Sequence, residues 1–334
     1  METNLLKQVQ ANALHQPAWL QKKRALAIML KNRFKLAQGQ QTFIEAWQEP
    51  QLLTESEPSY QMHLGNDYVA LPLQKAVLQY PELLQENLME KAVRWQDSQL
   101  NAMHLALMDA GQFIYVPDHQ QINQPLQLQL ESQSQNPHNL ILVGAGAKVT
   151  IEEHSRFLNQ EPTYAATEIL VGTGATVNYR QVEQFRTNQV RHAVHVYQAR
   201  EAQVNLAVVA PAGQESYSSL YSFLDGNDSQ WSLDLAAMAE HGQKGQIDTM
   251  VDGYGEGTAA QVNEWGWQSV DSKIAFGQLA TVDDEPLSLT QHTYLGSPNG
   301  VQVNGQLDST RSYQSVQDFF NQKRITNDWL KEQL

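Results

Sequence analysis

The 334 residues contain no cysteine. That excludes disulfides, thiolate metal ligands and a cysteine nucleophile, and it fits a reducing cytoplasm. Cations are scarce too: 22 Lys and Arg stand against 36 Asp and Glu, a formal net charge of −14. So acidic a chain is unsuited to nonspecific nucleic-acid or anionic-membrane binding, because phosphate contacts require Lys and Arg. No apolar run approaches the ~18 residues that cross a bilayer. The first residues lack the charged, apolar, small-residue order of a secretory signal. The expectation is a soluble, cytoplasmic protein with ample material for a core. Glutamine is abundant but dispersed, as on solvated strand and helix surfaces rather than in a prion-like tract.

One phrase recurs between Leu140 and Trp265. Leu142-Val143-Gly144-Ala145-Gly146-Ala147-Lys148-Val149 is answered by Leu170-Val171-Gly172-Thr173-Gly174-Ala175-Thr176-Val177. Fainter echoes follow around Val204, Trp231 and Val262, so the shared apolar residue advances in steps of 28, 27, 27 and 31. Such a period marks a stacked array whose units bury their apolar faces only against each other. Within each unit the apolar residues alternate, as strands do. The Gly pairs suit corners that need φ > 0 or leave no room for a Cβ. The pattern predicts a parallel β-solenoid. Gly144-Ala145-Gly146 and Gly172-Thr173-Gly174 are not dinucleotide loops, since strand rather than helix follows each and the third Gly is missing.

Around this array the chain divides into three parts. Residues 1–110 read as a helical region with a linker: Trp19, Leu20, Ile28 and Met29 share a face, Pro17 suits the first turn, and Pro50 ends the run. Leu83, Leu84, Leu88, Ala92, Trp95, Leu100 and Leu105 resume the helical interval over 72–108. Residues 111–308 read as the solenoid, with Leu126, Leu128 and Leu130 alternating with glutamines. Residues 309–334 read as a C-terminal helix with Val316, Phe319 and Phe320 on its apolar face.

Asn101-Ala102-Met103-His104-Leu105-Ala106, followed by Gly111-Gln112-Phe113-Ile114-Tyr115-Val116-Pro117, resembles the entry to the core of the SufB/SufD family, its SufD branch most of all. Pro17-Ala18-Trp19-Leu20 with Arg24, Glu45-Ala46-Trp47, and the paired phrases at 140–154 and 168–182 are similar to the family's as well. The resemblance implies a right-handed parallel β-helix flanked by helices, acting as a cytoplasmic scaffold for iron–sulfur cluster assembly. It further implies pairing with SufB or a second copy, and binding of the ATPase SufC.

The departures bear on the cargo. Counting from Pro286, the family's Cys position holds Ser297 and its His position holds Asn299. Neither offers the thiolate or imidazole that iron–sulfur species favour. The Asp248-to-Gly253 stretch lacks the family's histidines, and the interval from Phe276 to Pro286 is shorter than the family's. The resemblance therefore implies the fold without direct cluster ligation. No tightly bound cofactor or metal is expected, and a transient cluster would be held through the complex. His292 is the one histidine near the ligand-bearing turn, and a plain structural role suits it as well.

The remaining candidates weigh toward structure. Asp248 and Asp252 share strand parity and would serve a β-helix glycosidase or lyase only if a groove set two carboxylates about 5–10 Å apart. Asp283, Asp284 and Glu285 read as turn residues. His192 and His195 point to opposite strand faces. Trp231 occupies the repeat's core slot; Trp265 and Trp267 share a face suited to the core or to an interface. Phe319, Phe320, Arg324, Ile325 and Trp329 would either cap the array or dock the ATPase. Three readings of function stand: a non-enzymatic SufD-like scaffold first, then an intracellular carbohydrate-active β-helix enzyme, then a diverged homodimeric binding module.

Overall fold

The computed structural model describes residues 2–36, 43–44, 47, 62–210, 213–277, 280–281, 287–308, 313, 315–322, 325 and 327–333. The N-terminal part holds helices α1 (Glu2–Asn12) and α2 (Ala18–Leu30) and a hairpin of β1 (His63–Leu64) and β2 (Val69–Pro72). Three short helices follow: α3 (Leu73–Gln79), α4 (Pro81–Asn87) and α5 (Gln99–Leu107).

From there the chain coils into a parallel β-solenoid of about six turns. One sheet stacks β3 (Gln112–Val116), β5 (His138–Val143), β7 (Thr163–Val171), β9 (Gln189–Gln198), β11 (Glu215–Leu224), β13 (Lys244–Gly253) and β15 (Lys273–Phe276). The short β16 (Ala280–Thr281) also lies beside β13. The other sheet stacks β4 (Leu126–Ser132), β6 (Lys148–Phe157), β8 (Thr176–Phe185), β10 (Gln203–Ala210), β12 (Gln230–Ala239), β14 (Ala259–Gln268) and β17 (Ser288–Ser297). Antiparallel β18 (Gly300–Val303) and β19 (Gln306–Asp308) finish this sheet, as the antiparallel β1 and β2 start the first. Helices α6 (Val316–Gln322) and α7 (Asp328–Glu332) end the chain; the single C-terminal helix expected from the pattern is interrupted, and Asn327 caps the second piece by accepting from Leu330 N at 3.1 Å.

Val149, Val177, Val204 and Trp231 stand in one column, each paired with the next and none more than 2% exposed. They fill the lumen with Ile151, Leu206, Leu233 and Val262. The column continues to Ala260, not Val262, which pairs with Leu233. The last step is therefore 29 residues rather than 31. A two-residue slip leaves every side chain on its own face, so the apolar pattern alone fits both registers.

The two glycines of each repeated pair serve different ends. At Gly172 a Cβ would lie 2.8 Å from the Ala145 nitrogen of the neighbouring rung, so backbone proximity demands glycine. Gly174 has open space but φ of +66°. The left-handed residue recurs at this corner on successive rungs: His119, Gly146, Gly174, Glu201, Asp228 and Gly257 all have φ between 58° and 69°. The first five donate their amides to the next rung, as Gly174 N does to Arg200 O and Glu201 N to Asn227 O, both at 2.8 Å.

Outside the coil, both sheets are covered. The N-terminal helices pack Leu84, Leu88, Trp95, Leu100 and Leu105 against Leu140, Tyr164 and Leu170 on the first sheet's outer face. Helices α6 and α7 pack on the outer face of the second. Two different costs follow at the corner: Gly174→Ala should lose about 1–2 kcal/mol, the left-handed penalty for an L-residue, and Gly172→Ala more, because backbone must move. Urea unfolding of the two variants checks the order.

Candidate functional site

At Ser297 β17 turns back through Pro298 and Asn299 into β18. The Ser297 hydroxyl donates to Gly300 O (3.2 Å) and accepts from Asn299 N (3.3 Å), and the Asn299 side chain is exposed. These two residues make the tip of a hairpin. His292 lies exposed on β17 opposite Asn263, about 16 Å along the strand from Ser297 at ~3.3 Å per residue. The fold does not bring the three together.

The C-terminal side chains turn inward. Phe319, Phe320, Ile325 and Trp329 are buried with Ala207, Ala236, Trp265 and Trp267. Phe319 sits against Gly296, where a Cβ would come within 2.5 Å of its ring, and Asn327 Nδ2 reaches Asp234 Oδ2 at 3.1 Å. What these helices cover is the flank of the second sheet. Asn321, Asp328 and Lys331 remain on the solvent side. Arg324 lies outside the described residues.

The other expected positions resolve individually. Trp231 is in the lumen, and Trp265 and Trp267 lie beneath the C-terminal helices. Asp248 accepts from Tyr217 Oη at 2.5 Å and Asp252 from Tyr254 Oη at 2.7 Å. Four residues apart on one strand, their Cα atoms are about 13 Å apart, too far for a glycosidase pair. Asp283, Asp284 and Glu285 fall outside the described residues. Among the described residues no cluster of three His, Cys, Asp or Glu could hold a metal ion.

What the pattern had not indicated is the polar content of the lumen. Glu153 accepts from Ser155 Oγ (2.6 Å), Tyr179 Oη (2.5 Å) and Asn139 Nδ2 (3.1 and 3.2 Å to its two oxygens). Tyr179 Oη accepts from Gln181 Nε2 at 3.0 Å, and the Gln181 carbonyl meets His192 Nε2 at 2.8 Å. Glu183 hydrogen-bonds Glu153; burial, and then that neighbouring carboxyl, raise its pKa well above the usual carboxylate range. Burial pulls His192 down to about 3, with His195 adding to the shift. The 3.5 Å approach of His192 to Glu183 is thus a contact of neutral groups, not an ion pair. A second knot closes the far end: Glu264 accepts from Thr249 (2.9 Å), Gln291 (3.1 Å) and Thr293 (2.8 Å). Extending the alternation from Val149 to 151, 153 and 155, and from Val177 to 179, 181 and 183, would have turned all of these inward.

A third polar chain ties the helices to the coil. Glu168 on the first sheet accepts from Met89 N (2.6 Å), Val93 N (3.0 Å) and His138 Nε2 (2.9 Å). His138 Nδ1 in turn shares a hydrogen bond with His104 Nε2 at 3.1 Å. Burial, then His138, lower the His104 pKa well below the usual imidazole range, so it stays neutral. His195 bridges Ala92 O (3.2 Å) and Ser219 Oγ (2.9 Å), and burial lowers it to about 4. These histidines work as struts.

Two family models match in tandem along this architecture: the SufBD protein N-terminal region over residues 39–128, and the SUF system FeS cluster assembly, SufBD core domain, over residues 126–277. The chain belongs to the SufB/SufD family. It is similar to an iron–sulfur cluster assembly SufBD family protein of Pyrococcus horikoshii, 32% identical over 89 residues, covering 25% of this chain and 20% of that one. It is also similar to the iron–sulfur cluster assembly protein SufD of Bacillus subtilis, 27% identical over 115 residues, 32% of this chain and 26% of the relative. The matched stretches thus span about a quarter or less of those relatives' lengths. The matching core model and both relatives carry iron–sulfur cluster assembly in their names. Among the described residues no helix is long and apolar enough to cross a membrane.

Glu183 in the lumen and His195 on the outer face titrate in opposite senses. Glu183, with its folded pKa raised, contributes fully below about pH 4.5 and loses that contribution as pH rises toward the folded value. Glu183→Gln should therefore match wild type near pH 4.5 and exceed it progressively above, by up to about 1.4 kcal/mol per pH unit. Melting temperatures from pH 4.5 to 8 test this; a constant offset would refute it. His195, with its pKa lowered to about 4, contributes above about 6.5 and loses that as pH falls toward the folded value. His195→Gln should flatten the acid limb by about 2 kcal/mol at pH 5, read by urea unfolding at pH 7 and 5.

Proposed function

We propose that this protein is a SufD-like scaffold subunit of an iron–sulfur cluster assembly complex, pairing with a SufB-type scaffold or a second copy and binding a SufC-type ATPase. The observation that carries the reading is the tandem match of the family's N-terminal region and core, in order, on a chain whose solenoid is flanked by helices on both sheets. A rigid coil is suited to holding two other subunits at a set distance. Among the described residues the second sheet ends in β19 with its outer margin unpartnered, a template for strand addition by another scaffold subunit.

In this reading the protein is not an enzyme. The ATPase supplies the work, and its closure alters how the two scaffold subunits meet. The cluster or its precursors are cargo, held mainly by the partner. That division of labour is supported by the absence of cysteine and by Ser297 and Asn299, whose polar groups serve the hairpin turn. The buried apolar faces of α6 and α7 leave their polar side for the ATPase, with Asn321, Asp328 and Lys331 outermost. The carbohydrate-active reading loses its footing with Asp248 and Asp252 each tied to its own tyrosine.

Co-purification from the native host under mild salt, read by mass, tests the reading. SufC-type and SufB-type subunits should be recovered in stoichiometric amounts. Self-association with no ATPase would instead identify a homodimeric binding module that has left the pathway.

A further inference from the structure

The outer face of the first sheet carries a cleft of about 380 Å³ at the start of β9, β11, β13 and β15. Its charge runs against that of the whole chain. Arg191, Lys244 and Lys273 line it with a single carboxylate, Glu215, in a protein of net charge −14. Lys244 and Lys273 are direct register partners on adjacent rungs, so two ammonium groups arise from backbone only about 4.8 Å apart. Like charges set opposite each other destabilise a sheet. Among the described residues neither lysine forms an ion pair.

The third cation is built in. Arg191 is only 9% exposed, and its guanidinium lies 4.5 Å from the Tyr217 ring centre and 5.3 Å from that of Phe43. Two rings fix the plane of a group whose fork suits oxyanions. Tyr217 is itself anchored through its hydroxyl to Asp248. Burial lowers the Arg191 pKa, the mark of a cation with less solvent than it favours. The remaining wall has an apolar part of Phe43, Val190 and Ala275 beside the polar Gln189, Ser216 and Gln246.

We propose that this cleft binds a small organic phosphate, with the phosphoryl group held between Arg191, Lys244 and Lys273 and the organic part against the apolar wall. A tetrahedral dianion can be met from three directions at once, by a fixed guanidinium on one rung and two flexible ammonium groups on others. A planar carboxylate is satisfied by a single fork. A cavity of this size also lies at the lower end of the range for small-molecule sites.

Isothermal titration calorimetry on the full chain tests the assignment, with AMP as the probe, inorganic phosphate as the competitor, and citrate at matched ionic strength as the control anion. AMP should bind saturably, phosphate should displace it, and citrate should bind at least tenfold more weakly. The double variant Lys244→Ala/Lys273→Ala removes two exposed side chains and should melt with wild type while binding AMP at least tenfold more weakly. Arg191→Lys keeps the charge but loses the planar fork, and should weaken AMP in the same direction. Absence of saturable AMP binding, citrate binding as tight as AMP, or affinity unchanged in the double variant would each overturn the proposal.

Discussion

Everything in this molecule depends on one interaction, the hydrogen-bonded ladder between a rung and the rung above it. A strand in the middle of the coil has no partner within its own turn. Its amides and carbonyls are satisfied only by strands a whole turn away in sequence, as β8 is by β6 and β10. The corners must keep the rungs in step, and they do so with the repeated left-handed residue whose amide reaches the next turn. Where glycine is absent, at His119, Glu201 and Asp228, the chain still adopts φ near 60°, so the ladder outweighs a local penalty of about 1–2 kcal/mol.

That ladder sets the terms for the polar interior. Once alternate residues are forced inward, a glutamate at an inward position has no route to water and must find partners from other strands. Glu153 finds them on two, with Ser155 of its own strand besides, and Glu183 gives up its charge. Such networks specify which strand faces which across the lumen, because a slipped rung would strand a carboxyl against valine or leucine. Outside the coil, Glu168 and the two histidines behind it impose the same condition on the helices, which can seat only where Met89 and Val93 present their amides.

Much of the fold was legible in the chain because a solenoid writes its period directly into sequence. Val149, Val177 and Val204 share spacing, side and neighbours. The register past Trp231 was less so, since apolar alternation is blind to a slip of two. The lumen carboxyls are legible only through parity: Glu153 and Glu183 share the side of Val149 and Val177, against the usual preference of glutamate for solvent. For Phe319 and Trp329, an amphipathic face looks alike whether it meets its own sheet or another protein. Only the small side chains at Ala207 and Ala236 and the bare Gly296 hinted that the sheet had made room.

The lumen is graded along its axis. Glu153, Tyr179, Gln181 and Glu183 lie toward one end and Glu264 with its three donors toward the other, while Val194, Val208, Leu220 and Leu235 fill the stretch between. The central turns are thus mainly apolar, with Gln198 and Ser222 hydrogen-bonded to each other as their polar pair, whereas the terminal ones carry carboxyl networks. A lineage could lengthen or shorten the scaffold by gaining or losing a middle turn, changing the reach between its two ends while both polar knots, and whatever depends on them, travelled unchanged.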